Sequence, residues 1–208
     1  MHTLPVDLES VRVMVRLASC WDEQEMFENA LVENGWAHRW SNGELNFEWG
    51  GVDKPHWFIP HSPKLYHDPP VWRLELDYPP QPGQESYVQL LCALKWPSYG
   101  RDPEPGEEYD DEDCYFDDPW TTQLDVTHAD WDGEFDRLAA LVRQELGDPV
   151  RTIPAGEDRS RLQAWNMGAM AVVLASGVDL GDAEDYHDGI FLRICPVTSS
   201  IAQKCWPE

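Results

Sequence analysis

The chain has 208 residues and a formal net charge of −24, which arises from 39 acidic and 15 basic residues. This charge exceeds what solubility requires and repels phosphate at long range, so it argues against nucleic acid and anionic membranes as direct ligands. Because 42% of the residues are apolar and 11 are tryptophan, a folded core is expected, and the excess charge favours a basic protein partner.

The amino-terminal segment predicts a strand. Residues 1–10 carry two acidic residues and no apolar stretch, so no secretory signal is expected. From Val11 to Leu17, apolar residues alternate with Arg12, Met14 and Arg16. Alternation with a period of two indicates a half-buried strand with one face toward the core.

A helix is predicted to follow, with Asp22 as its N-cap. The Asp22 carboxylate can accept hydrogen bonds from the first-turn amides, and Glu25 can complete a capping box. Trp21 can pack on Met26 as a hydrophobic staple. Gly35 provides the left-handed residue that ends the helix.

Two short strands are predicted next, at residues 36–40 and 44–49. They flank Ser41-Asn42-Gly43, and an Asn-Gly pair readily adopts the positive φ angles of a tight hairpin turn. A third strand is predicted at 71–78. The first half therefore has a strand, a helix and an antiparallel meander.

The proline-rich loop between these strands contains His56, His61, His67 and Asp68. Imidazole and carboxylate groups are zinc ligands, but this spacing matches neither a zinc finger nor an HExxH helix. We expect exposed histidines and no metal. A small metal-dependent hydrolase that uses this loop is an alternative.

Residues 98–120 are interpreted as an acidic, proline-rich connector. Proline and charge repulsion favour an extended, solvated segment. Aromatic side chains alternate with its acids and can anchor in a partner whose Lys and Arg residues pair with the carboxylates. The residues predicted to bind the partner are Glu107, Glu108, Tyr109, Asp110, Asp111, Glu112, Asp113, Tyr115, Phe116, Asp117, Asp118 and Trp120.

The second half predicts a similar order of elements. Leu124 and Val126 indicate a short strand, and a helix follows that Gly147 and Pro149 end. The apolar positions of this helix are Phe135, Leu138, Val142 and Leu146.

Strands are then predicted at 161–167, 169–176 and 189–196, with a break at Gly168. The uncharged run 162–178 is shorter than the roughly 20 apolar residues of a membrane-spanning helix and contains polar residues, so it is interpreted as sheet core. Both alternating sets between Met170 and Ala175 are apolar, which predicts a strand covered on both faces.

A weak internal repeat connects the two halves. The pattern Trp-Asp, seven residues, Ala-Leu-Val occurs at 21–32 and again at 131–142, and a Trp-Pro pair recurs at the same offset of 110 positions, at 96–97 and 206–207. We therefore predict an α+β fold of two tandem strand-helix-meander repeats, residues 1–97 and 121–208, with an antiparallel sheet on which helices pack. The two repeats can also form one domain.

No motif identifies an enzyme. The chain has no GxSxG nucleophile turn and no glycine loop with the lysine of a phosphate site. Asp185, His187 and Asp188 are interpreted as a turn. Five widely spaced cysteines without a CxxC pair favour reduced thiols in a cytoplasmic protein. No catalytic residue and no cofactor are expected.

Several segments resemble a group of small actinobacterial proteins that look like toxin-immunity proteins. The similar segments are Leu146-Gly147-Asp148-Pro149, 162–165, 169–175, 190–196 and 21–51, the last including Gly35-Trp36. They cover about two thirds of the chain, while the His/Pro loop and the acidic connector depart from the pattern. The resemblance implies a cytoplasmic protein that neutralises a toxin domain, and it implies no catalytic residues.

Charge, composition and resemblance together predict an immunity protein or antitoxin that binds and occludes a basic toxin, such as a nuclease with a Lys/Arg-rich cleft. An alternative is a mimic of nucleic acid whose carboxylates replace phosphates and that sequesters a DNA-binding protein.

Overall fold

The architecture comes from a computed structural model that describes residues 1–34, 36, 38–39, 45–46, 74–76, 87–95, 121–123, 126–155, 161–178, 188–199 and 202. The helices are α1 (Leu8–Ser19), α2 (Gln24–Glu33) and α3 (His128–Leu146). The strands are β1 (His2–Thr3), β2 (His38–Arg39), β3 (Leu45–Asn46), β4 (Leu74–Leu76), β5 (Val88–Lys95), β6 (Thr121–Thr122), β7 (Arg151–Ile153), β8 (Arg161–Met167), β9 (Met170–Val178) and β10 (Asp188–Pro196).

Within these residues, eight strands form one antiparallel sheet. Seven of them lie in the order β6-β1-β5-β10-β9-β8-β7, and β4 also pairs with β5. Strands from both halves of the chain are neighbours, because β5 pairs with β10 and β1 pairs with β6. The α+β class is therefore correct, while the tandem repeat and its boundaries stay predictions.

Helix α1 occupies the segment for which the sequence predicts a strand, so the strand at residues 11–17 is wrong. The same alternating sequence also places Val11, Met14 and Leu17 on one helical stripe, and all three are buried. Asp7 and Ser10 close a capping box that starts the helix. The capping box and the burial of one helical face therefore favour a helix, even though the alternating sequence also suits a strand.

Helix α2 is present, but its predicted start is wrong. The N-cap is Glu23 rather than Asp22, and the Glu23 side chain makes no capping hydrogen bond. The predicted staple is also wrong, because Met26 is 50% exposed. Trp21 instead packs edge-on against Phe27, with the ring centroids 5.7 Å apart. The start of α2 is thus fixed by aromatic packing.

Helix α3 confirms the predicted apolar face, since Phe135, Leu138 and Val142 are buried. Gly147 ends the helix with a φ of 78°, as predicted. The Trp131-Asp132 pair lies inside α3, whereas the corresponding Trp-Asp pair of the first half precedes α2. Val126 lies outside the strands and Leu124 outside the described residues, so the strand before α3 is β6.

The three predicted strands β8, β9 and β10 are confirmed. Gly168 has a φ of 80° and forms the tight turn between β8 and β9. Val172 and Leu174 pack in the cluster beneath the helices, while Ala171 and Val173 belong to a second cluster on the opposite face. Strand β9 is therefore covered on both faces, as its uninterrupted apolar sequence predicts.

The first-half meander is confirmed in part. Strands β2 and β3 pair antiparallel, with His38 opposite Asn46, and form a separate two-stranded sheet. Strand β4 falls within the predicted strand at 71–78 but pairs with β5 of the main sheet. The Asn42-Gly43 turn and Gly35 lie outside the described residues. Among the helices of the described ranges, none has the length and hydrophobicity needed to cross a membrane.

Candidate functional site

The predicted partner-binding residues between Glu107 and Trp120 all lie outside the described residues. The same holds for the His/Pro loop from His56 to Asp68, and for Asp185 and His187. Their roles stay predictions. Among the described residues, the carboxylates differ in whether they have an ion-pair or hydrogen-bond partner.

Two arginines on the outer surface of α1 form ion pairs with acidic side chains of all three helices. Arg12 lies 3.3 Å from the Glu9 carboxylate and 3.1 Å from that of Glu145 at the end of α3. Arg16 forms a 2.7 Å pair with Glu33 at the end of α2. These pairs join α1 to both other helices and neutralise carboxylates locally, although exposed ion pairs stabilise a fold little because water and salt screen them.

The acids along α3 are also largely paired. Arg161, which projects from β8, lies 3.4 Å from Asp132 and 2.5 Å from Asp136. Arg137 forms a bidentate contact with Glu134, and its other terminal nitrogen donates to the carbonyl oxygen of Val6. Intramolecular arginines thus compensate most of the negative charge of this helix surface.

Two further carboxylates are used as helix caps. The Asp7 carboxylate accepts a 2.8 Å hydrogen bond from the Ser10 amide, and that bond is the main reason why the pKa of Asp7 is lowered. The Asp130 carboxylate accepts a 2.6 Å bond from the Thr127 hydroxyl, which is the main cause of its lowered pKa. Both charges serve local structure.

Replacing Asp7 with alanine is expected to reduce the free energy of unfolding by about 1 kcal/mol at neutral pH. Because the folded state lowers the pKa of Asp7, its stabilisation is complete above the ordinary carboxyl pKa and is lost as the pH falls through the folded pKa. Urea unfolding at several pH values should therefore show the difference between wild type and variant shrinking in acid. Asp7→Asn retains a capping group and is the matched control; an equal loss in both variants contradicts the capping role.

The start of α2 differs from these surfaces. Asp22, Glu23 and Glu25 are exposed, and within the described residues they form neither an ion pair nor a side-chain hydrogen bond. The segment 22–33 contains no basic residue. Met26 lies among these acids and is one of two exposed large hydrophobic side chains in the described part of the chain. We call Asp22, Glu23, Glu25 and Met26 the α2 surface.

A concavity of about 510 Å³ adjoins the α2 surface. Its described lining consists of Gln24, Glu25, Glu28 and Asn29. Gln24 donates a 2.8 Å hydrogen bond to the Glu28 carboxylate across one helical turn. All four side chains carry hydrogen-bond acceptors, so the concavity suits the donor groups of lysine and arginine.

The tryptophans of the described residues belong to the core. Trp21 is 5% and Trp165 is 2% exposed, and Trp36 and Trp131 are half-buried against the main core. Trp40, Trp49, Trp57 and Trp72 lie outside the described ranges. The exposed apolar side chain beside the unpaired acids is instead Met26.

The described cysteines have an environment that suppresses reactivity. Cys20, Cys92 and Cys195 are buried and form no disulfide. Burial raises the pKa of Cys20 and raises that of Cys92 to about 12. A thiol that stays protonated is a poor nucleophile. In the part of the chain that the structure describes, no group of three or more His, Cys, Asp or Glu side chains can hold a metal ion.

Cys20, Cys92 and Cys195 are expected to resist iodoacetamide in the folded protein at pH about 8, because all three are buried and burial also raises the pKa of Cys20 and Cys92. Peptide mass mapping after alkylation should find these three cysteines unmodified, and fully modified after unfolding in urea. Rapid labelling of Cys92 in the folded protein contradicts its burial.

The exposure of the α2 surface differs from what the sequence pattern predicts, for a specific reason. Asp22, Glu25 and Met26 are assigned to capping and stapling, which would occupy them within the fold. The observed N-cap is one residue later and leaves all three side chains exposed. The absence of any basic residue from 22 to 33 is the sequence signal for this surface.

Comparison of the chain with family models, curated proteins and solved structures finds no match. The resemblance to actinobacterial immunity-like proteins therefore stays a prediction.

Proposed function

We propose that the chain is a toxin-neutralising immunity protein of the cytoplasm that binds and occludes a basic toxin domain, such as a nuclease. The observation that carries this proposal is the contrast between its charged surfaces. Carboxylates on α1 and α3 pair with arginines or cap helices, whereas Asp22, Glu23 and Glu25 do neither among the described residues. Carboxylates without an intramolecular partner keep their charge available to attract a basic partner.

The net charge of −24 supports the same proposal. A strongly acidic protein attracts a Lys/Arg-rich surface at long range, which raises the association rate by about 10- to 1000-fold. Nuclease clefts are basic because they bind phosphate, so an acidic protein can enter the cleft and exclude the substrate. Occlusion requires no catalytic group in the inhibitor.

The proposal is tested by expressing the protein encoded by the adjacent gene in a bacterial host, alone and together with this chain. We expect the adjacent gene product to stop growth and co-expression to restore it, with the two proteins purifying as one complex. A non-toxic adjacent product, or toxicity that this chain leaves unchanged, contradicts the proposed function.

A further inference from the structure

We propose that a buried polar pair, Gln89 on β5 and Arg193 on β10, is a register lock that fixes which residues of these two strands lie opposite each other. It concerns how the two halves of the chain are held in one sheet and is independent of the proposed function. Gln89 and Arg193 are 104 positions apart and directly opposite in the ladder. Several elements separate β5 from β10 along the chain, so no connecting turn sets their register as the Gly168 turn does between β8 and β9.

The contact between the two side chains is buried. Arg193 is 4% and Gln89 is 1% exposed. The Nε of Arg193 donates a 2.5 Å hydrogen bond to the Oε1 of Gln89, and its guanidinium carbon lies 4.3 Å from the centroid of the Tyr87 ring. A charge held away from water needs polar contacts to compensate its lost hydration. Any register that takes the Gln89 acceptor away from Arg193 is therefore disfavoured.

The apolar side chains of this ladder do not distinguish the observed register from one displaced by two residues. Leu90 lies opposite Leu192, and both are buried in the main core. A displacement by two residues keeps each side chain on its own face of the sheet. It places Leu90 opposite Ile190 or Ile194, which are buried in the same core. Apolar contact is thus retained in every arrangement, whereas the polar pair meets only in the observed one.

An irregular point in the same ladder makes a lock necessary. Leu91 lies opposite Phe191 and Ala93 lies opposite Ile190, so Cys92 is an additional residue on β5. The register therefore differs by one residue between the two sides of Cys92. Backbone hydrogen bonds can form on either side of such a bulge and do not by themselves fix the register of each part. The polar pair lies in the part that contains residues 88–91 and fixes that part.

The test replaces the pair with apolar side chains of similar size, Q89L together with R193M. Because both positions stay filled, we expect this variant to fold with the circular dichroism spectrum of wild type and to populate a second register in at least about 10% of molecules. Nuclear magnetic resonance measures this as a second set of backbone signals for residues 88–91 and 191–194, with contacts from Leu90 to Ile190 or Ile194. The matched control L90M with L192M alters the adjacent apolar pair and should show one set, as wild type should.

Two further measurements keep the polar contact in place. Q89E retains an acceptor for the guanidinium, so it should keep a single register. In wild type, the Nε proton of Arg193 should exchange with water at least about tenfold more slowly than that of the exposed Arg151. A single register in the Q89L/R193M variant overturns the proposal, and so does its failure to fold, which would assign the pair to stability. Mixed registers in Q89E, or equal exchange at Arg193 and Arg151, also overturn it.

Discussion

Replacing Trp165 with alanine is expected to lower the free energy of unfolding by about 3–5 kcal/mol. Trp165 is 2% exposed, lies opposite Val172 in the sheet, and packs in the main core beneath the helices. Its indole nitrogen donates a 2.9 Å hydrogen bond to the carbonyl oxygen of Gly147, the residue that ends α3. The substitution creates a cavity and leaves this acceptor without its donor, and the loss is a large fraction of the 5–15 kcal/mol typical of a domain.

Trp165→Phe is the matched control, because phenylalanine keeps most of the packing and removes the donor. We expect this variant to lose about 1–2 kcal/mol. Urea denaturation followed by circular dichroism measures both values. A Trp165→Ala variant within about 1 kcal/mol of wild type contradicts the position of Trp165 in the core.

Replacing Phe27 with alanine is expected to have an effect of similar size, about 3–5 kcal/mol. Phe27 is fully buried and makes an edge-on contact with Trp21, an arrangement that adds about 1 kcal/mol beyond the burial of apolar area. Because Phe27 holds α2 against the core, the substitution also weakens the anchoring of the α2 surface. Chemical denaturation measures the loss of stability.

The neighbouring substitution Met26→Ala provides the control for Phe27→Ala. Met26 is 50% exposed, so its removal should change the free energy of unfolding by no more than about 0.5 kcal/mol. The pair therefore separates a buried position of α2 from an exposed one: Phe27→Ala is expected to impair folding, while Met26→Ala is expected to leave the fold intact. If both substitutions destabilise the protein equally, the finding that Phe27 faces the core and Met26 faces solvent is contradicted.

The part of the fold that the sequence predicts best is the hairpin sheet of β8, β9 and β10. Their apolar runs are continuous, and Gly168 interrupts them where the chain reverses with a φ of 80°. Both signals are local. Helix α1 is missed because its alternating valines suit a strand and a helix equally, and the distinction depends on the Asp7 cap and on the surface that receives the helix.

Strand β5 has no counterpart among the predicted elements. It is buried on both faces, and Cys92 is an additional residue at an irregular point where β5 pairs with β10. Its place beside β10 arises from pairing between positions about 100 residues apart, which no local pattern reveals.

The candidate site is predictable in its charge and not in its location. The net charge indicates a basic partner, but the carboxylates that remain for it depend on which acids the fold pairs internally. Arg12 reaches Glu145, 133 positions away, and Arg161 reaches Asp136 of α3 from strand β8. Only after these tertiary pairs are known can the acids that lack an intramolecular partner, such as Asp22, Glu23 and Glu25, be told from those that have one.

Titration of this chain with the adjacent gene product at low and high salt tests the central claim most directly. If binding depends on complementary charge, the dissociation constant should rise at least about tenfold between about 50 mM and about 500 mM sodium chloride, because the Debye length falls below the reach of surface charges. A dissociation constant that stays the same across this range contradicts binding by an acidic surface to a basic partner.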